Sequence, residues 1–265
     1  MKNFLSVVAK SIFFLGGWLG VVLFTGDYFD RFLKQPALWR MVDEARILLI
    51  VLAITILFYL IEKGKISIYL LKNIGKGFGI GTILGLIWLI IPIAVLYGIG
   101  SLKFSHFHMI PQLFLWVLAV FFNASMQELL VRGYWYQLVK SEYNMFIAML
   151  VTTALFTSFH GGAFASGIVA VCNVVTMSIF MTLLLEHTNS LVAPIMAHFV
   201  WNLFGRLLDL VSLADDYPSM ITASVSGDVI LSGGVLKLEG SIIVFTLNLL
   251  FIGFFLLGRK IVLKK

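Results

Sequence analysis

Apolar residues run along this chain in long stretches separated by short polar segments. Stretches at roughly 5–25, 44–61, 77–98, 111–131, 145–161, 165–186, 191–211 and 241–258 are each near the ~20 largely apolar residues that a membrane-crossing helix needs. They predict an all-α fold, a polytopic transmembrane helical bundle of about eight helices, with the gap near 161–165 very short. The polar segments set the expected orientation. In the first, 26–46, Asp27, Asp30, Arg31, Lys34, Arg40, Asp43, Glu44 and Arg46 cancel in sign, which suits a short interfacial helix anchored by Trp39. In the second, Lys63, Lys65, Lys72 and Lys76 outweigh Glu62, and positively charged loops stay cytoplasmic. Arg259, Lys260, Lys264 and Lys265 agree, so an even number of crossings with both termini cytoplasmic is expected. The loop 212–240, with Asp215, Asp216, Asp228 and Glu239 against Lys237, then falls outside.

Composition agrees with a membrane chain. Of 265 residues, 60% are hydrophobic and 12% charged, with a mean hydropathy of +1.02; a soluble domain carries about 25% charge. A net charge of +6 would suggest nucleic acid in a soluble protein. Here the lysines cluster between apolar runs, so the positive-inside bias accounts for them and no nucleic-acid partner is expected. Cys172 stands alone in an apolar run, cannot form an intrachain disulfide, and reads as a small core residue. Residues 1–25 carry Lys2 and Lys10 but no small-residue cleavage site, and read as a retained helix. Gly77, Gly81 and Gly85 form a small-xxx-small ladder suited to close helix packing; the GxGxxG spacing and flanking strand of a phosphate loop are missing. Pro92 predicts a kink in the third helix, and Pro194 falls in the first turn of the seventh, where it is tolerated. Asn123 and Asn173 are expected to bond across helices, and His106 and His108 to lie at the surface.

Three of the apolar helices carry an i, i+4 motif that includes at least one polar group. Glu128 and Arg132 follow the run 113–122 without a break, Phe156 precedes His160, and His198 precedes Asn202. A charge at the bilayer centre costs at least ~2.5–3.5 kcal/mol, so such residues are rare. Each has a plain structural reading: an ion pair closing a helix end, an interfacial histidine before Gly161 and Gly162, and interhelical hydrogen bonds. Together they supply what peptide hydrolysis in a membrane needs, which is a base for water and a donor for the oxyanion in a hydrated cavity. At 1.5 Å per residue, Glu128 lies ~15 Å above a helix end near Leu138 and His198 ~10 Å above Leu191. His160, ~24 Å beyond Asn144, calls for a tilted, sunken helix or for different boundaries.

The motifs QExxxR (Gln127 to Arg132), FxxxH (Phe156 to His160) and HxxxN (His198 to Asn202), in this order, resemble the CPBP (Abi) family of intramembrane proteases. That family includes type II CAAX prenyl endopeptidases and bacteriocin-processing or self-immunity proteins. The stretches 191–198 and 233–241 look similar too, so the resemblance covers roughly 110–255. It divides the chain into amino-terminal helices, 1–105, and a protease core, 106–265. It implies a glutamate and a histidine activating water, His198 and Asn202 steadying the oxyanion, and a site that leaves room for zinc held by His160 and His198. It implies a membrane-bound or lipidated peptide substrate and a multi-pass protein of a bacterial plasma membrane. One departure stands out. The family pattern is EExxxR, its first glutamate being the expected base, and here that position is Gln127, an amide that cannot accept a proton at neutral pH. Glu128 lies ~100° further round the helix. Glu128 as the base, a non-catalytic relative acting as scaffold or immunity protein, and a glutamine introduced to freeze the enzyme remain three readings. A small transporter would show inverted halves, and the sequence has no such repeat.

Overall fold

The computed structural model describes residues 2–30 and 34–262. Arg31 of the first polar segment and Lys264 and Lys265 of the carboxyl end lie outside the described residues. The expected all-α, polytopic architecture is found. Among the described residues six helices are long and apolar enough to cross a membrane, within Phe4–Gly26, Pro36–Ile61, Ile74–Gly98, Leu113–Glu142, Ile168–Thr188 and Gly234–Gly258. Two of the eight expected spans fall short. Helix α6, Met145–Phe159, has 15 residues and α9, Val192–Leu207, has 16. At 1.5 Å per residue they reach ~22–24 Å, against a hydrocarbon core of ~30 Å.

Most of the described part of the expected loop 26–46 is helical instead. Helix α1 runs Lys2–Asp30 and α2 runs Pro36–Ile61. Proline at the first position presets the helical φ, and Arg40, Asp43, Glu44 and Arg46 pair along the helix instead of needing solvent. Arg46 Nη2 lies 2.6 Å from Asp43 Oδ1, and Arg40 Nη1 3.7 Å from Glu44 Oε1. Trp39 therefore sits in the first turn of α2.

Two bodies of contacts make up the chain, one from Met1–Leu70 with Gln112–Thr152, the other from Leu71–Pro111 with Thr153–Lys265. In the first, α2 runs parallel to α4, Leu113–Arg132, as their cross-links show: Gln112 donates to Gln35 at 3.1 Å and Asn123 to Glu44 at 3.1 Å. Helix α4 stops at Gly133, whose φ of −73° and ψ of −118° turn the chain into α5, Tyr134–Glu142. A Cβ at Gly133 would collide with the carbonyl of Leu129, so only glycine makes this turn. Tyr134 then packs its ring against Phe14 and Phe58, and its hydroxyl donates to Glu62 at 3.1 Å, where Lys10 Nζ also lies 2.5 Å from the carboxylate.

The second body is built on α3, Ile74–Gly98, and α9, which run parallel in close approach. Gly77 faces Ser190 and Ala193, Gly81 faces Ala193, and Gly85 faces Ala197 and Val200, so the glycine ladder is a packing face as expected. Pro92 lies inside α3, which continues as one helix to Gly98, and Pro194 lies in the first turn of α9. Trp88 of α3 stacks on Trp201 of α9 at 4.0 Å and meets Phe180 edge-on at 5.6 Å. Phe180 belongs to α8, Ile168–Thr188, which is tied to α10, Ile242–Val262, through Asn248: its amide donates to Thr176 at 3.0 Å. Asn173 donates to the carbonyls of Glu239 and Ser241, the interhelical role expected of it. Cys172 in α8 is half-buried rather than fully enclosed. A short antiparallel pair, β1 (Leu102–Phe107) and β2 (Ile221–Val225), was not anticipated from the sequence. It holds the connections after α3 and α9 on one side of this body, with His106 and His108 exposed and His108 Nε2 2.8 Å from Thr222 Oγ1.

The ladder makes a direct prediction. A Cβ on Gly81 would overlap the carbonyl oxygen of Ala193, whereas one on Gly79 would meet nothing within 4 Å. Gly81→Ala should therefore cost ~1–3 kcal/mol by overpacking, and Gly79→Ala should not destabilise. Thermal melts of both variants in detergent check this, and equal shifts would count against the close approach of α3 and α9.

Candidate active site

In the first body, Glu128 and Arg132 lie one turn apart at the end of α4, and both side chains are 0% exposed. Arg132 Nη1 donates to Glu128 Oε2 at 2.8 Å, the i, i+4 pair expected from the sequence. The carboxylate is thus committed to a partner, and the pair sits where Gly133 ends the helix. Taking two charges out of water is costly, and their mutual contact offsets this only when geometry is good.

Gln127, the neighbouring motif residue, points elsewhere. Its Nε2 donates to Asn123 Oδ1 at 2.8 Å, and Asn123 Nδ2 donates in turn to Glu44 Oε2 at 3.1 Å. Glu44 is 4% exposed and lies 3.7 Å from Arg40. A chain of four polar side chains therefore joins α2 to α4 within the apolar helices. Sequence reading put Glu44 in a loop and missed it. The available signal was Arg40 at i−4, just ahead of the apolar run that starts at Ile47, since pairing at this spacing retains a charged residue inside a helix.

In the second body, α6 ends at Phe159, and His160 (φ −97°, ψ 55°) forms the break before α7, Gly161–Ser166. This break comes before two glycines and leaves the imidazole half-buried. His160 Nδ1 lies 2.7 Å from the Phe156 carbonyl. A carbonyl oxygen only accepts, so Nδ1 is the donor, and in the neutral form of the ring the lone pair is then on Nε2. The Phe156 ring is fully buried and touches both imidazoles, His160 at 4.4 Å and His198 at 6.2 Å between centroids, the latter edge-on. His198 is 2% exposed, and Asn202 lies one turn further along α9, also buried. The FxxxH and HxxxN motifs thus meet around one aromatic ring. What these groups can do is clear from their types: Nε2 of His160 can take a proton, and the imidazole and carboxamide of α9 can donate to an oxyanion.

A catalytic zinc takes three protein ligands. Among the described residues no three of His, Cys, Asp and Glu gather as a metal-ligand set. His160 and His198 would supply two nitrogens.

Residues 109–204 match the family model described as type II CAAX prenyl endopeptidase Rce1-like. The matched range holds all three motifs, and the family resemblance read from them is borne out. The similar stretch at 233–241 lies beyond it. No curated protein and no solved structure gives a significant match.

Proposed function

We propose, from the Rce1-like endopeptidase domain carried by residues 109–204, that this membrane protein is an intramembrane endopeptidase cleaving a membrane-bound or lipidated peptide. The observation that supports this most is the contact of His160 Nδ1 with the Phe156 carbonyl at 2.7 Å, which in the neutral ring leaves Nε2 as the basic nitrogen. In the proposed reaction His160 takes a proton from water, and the resulting hydroxide attacks the scissile carbonyl. His198 and Asn202 donate to the oxyanion that forms, and the proton passes to the leaving amine. Glu128, required on the family pattern, is held by Arg132 in the first body. The protein would lie in a bacterial plasma membrane with both termini cytoplasmic.

Purified protein in lipid nanodiscs, given membrane-anchored and lipidated reporter peptides, should release soluble fragments, and His198→Ala should not. Unchanged turnover in His198→Ala would remove this mechanism. A second reading, a relative that binds membrane peptide without cutting it, is favoured by Gln127, an amide where the family pattern has a carboxylate. Cleavage by the unaltered chain defeats it.

A further inference from the structure

Cross-strand pairing gives the small sheet of the second body two unlike faces. Residues directly opposed on paired strands point to the same face, and residues two apart along a strand share it. Leu102 opposes Val225, Phe104 opposes Ala223 and, past a bulge, Phe107 opposes Ile221. These six residues are all apolar and form one face. The other face carries Lys103, Ser224 and Thr222, whose Oγ1 lies 2.8 Å from His108 Nε2. The rest of the body covers only part of the apolar face. Leu102 and Ala223 are buried, whereas Phe104 is exposed and Phe107 is 64% exposed, with Met109 beyond it at 85%.

Helix lengths put this face at the membrane boundary. Helix α3, with 25 residues, reaches ~37 Å, more than the ~30 Å hydrocarbon core, so its end at Gly98 lies at an interface. Strand β1 begins at Leu102, just past that end. The contacts of Trp88 with Trp201 and of Gly85 with Ala197 set the register of α9 against α3. In that register Leu207 stands about one turn, ~6 Å, short of Gly98. The β2 side is tied at this lower level, since Met220 N donates to the Leu207 carbonyl at 2.8 Å. The sheet thus starts at the depth of the last turn of α3, where an uncovered phenylalanine meets lipid. We infer that the sheet is a lipid-binding element lying along one leaflet. Phe104 and Phe107 enter the upper acyl region, and Lys103 and Ser224 face the headgroups. Through Met220 it fixes the depth of α9, the helix of His198 and Asn202, which at 16 residues is too short to span the core by itself.

Nitroxide labels on the full-length protein, one chain per lipid nanodisc, test this. With the native cysteine removed by Cys172→Ser, Lys103→Cys, Phe104→Cys, Phe107→Cys and Ser224→Cys each give one labelling site. Oxygen concentrates among acyl chains, whereas a charged nickel chelate stays in water. Relaxation by oxygen should exceed relaxation by nickel at positions 104 and 107, and the order should reverse at 103 and 224. Nickel dominant at all four positions would put the sheet clear of the bilayer and overturn the inference. Shielding of position 107 from both reagents would mean that protein covers the face, and would overturn it too. Should Phe104→Cys or Phe107→Cys fail to fold, the unaltered chain is tested with a phosphatidylcholine carrying a diazirine in its upper acyl chain. Illumination should then leave adducts on Phe107 and Met109. Adducts on the exposed Leu250 and Phe254 of α10 with none on Phe107 or Met109 would overturn the lipid contact. None of these readouts depends on peptide cleavage.

Discussion

Glu128→Ala is expected to destabilise this protein by ~3–5 kcal/mol, because it removes the carboxylate that the buried Arg132 charge is paired with. Both side chains are 0% exposed, and the bond between them is 2.8 Å long. A loss of that size is comparable to a typical domain's whole stability, so an inactive Glu128→Ala would say nothing about chemistry. Removing both charges is the informative change. Exchanging a buried ion pair for apolar residues of similar volume is often neutral or stabilising, so Glu128→Leu with Arg132→Met should fold about as well as the parent. Equilibrium unfolding in detergent measures the first effect, and reporter-peptide cleavage the second. A stable, inactive double variant assigns Glu128 a part in the reaction. A stable, active one confines the pair to closing α4 at Gly133.

The hydrophobic pattern made much of this molecule legible. Six long spans follow from run length alone, and the Gly77, Gly81 and Gly85 spacing correctly announced a helix face pressed against a neighbour. What it could not show is where charge is carried inside a helix. Arg40, Asp43, Glu44 and Arg46 look like a loop because four charges in seven residues exceed what an isolated span tolerates, yet pairing at i, i+3 and i, i+4 lets α2 begin at Pro36. The short α6 escaped for a different reason. Nothing charged interrupts 145–159, and only the backbone turn at His160, before Gly161 and Gly162, ends it. The strand pair depends on residues more than 100 positions apart, Leu102 with Val225, and no local pattern encodes that. Among the candidate catalytic groups, spacing gave the Glu128–Arg132 bond. The commitment of His160 to a backbone carbonyl, and of Gln127 to Asn123, are matters of rotamer and hydrogen-bond direction that residue types alone leave open.

That same commitment of His160 sets up the sharpest test of the chemistry. His160→Ala should reduce peptide cleavage by ~10²–10⁴-fold, the usual contribution of a positioned general base, while leaving the fold in place, because the side chain is half-buried at a helix break rather than enclosed in a core. Alanine removes two things together, the base and the bond that fastens the end of α6. His160→Asn separates them. The amide nitrogen of asparagine can reach the position of Nδ1 and donate to the Phe156 carbonyl, which His160 engages at 2.7 Å, but asparagine has no group that takes a proton at neutral pH. It should therefore melt close to the parent protein and cleave no better than the alanine variant. Retained cleavage in His160→Asn would make the imidazole a helix-end fastening and require the water-activating base to be another residue.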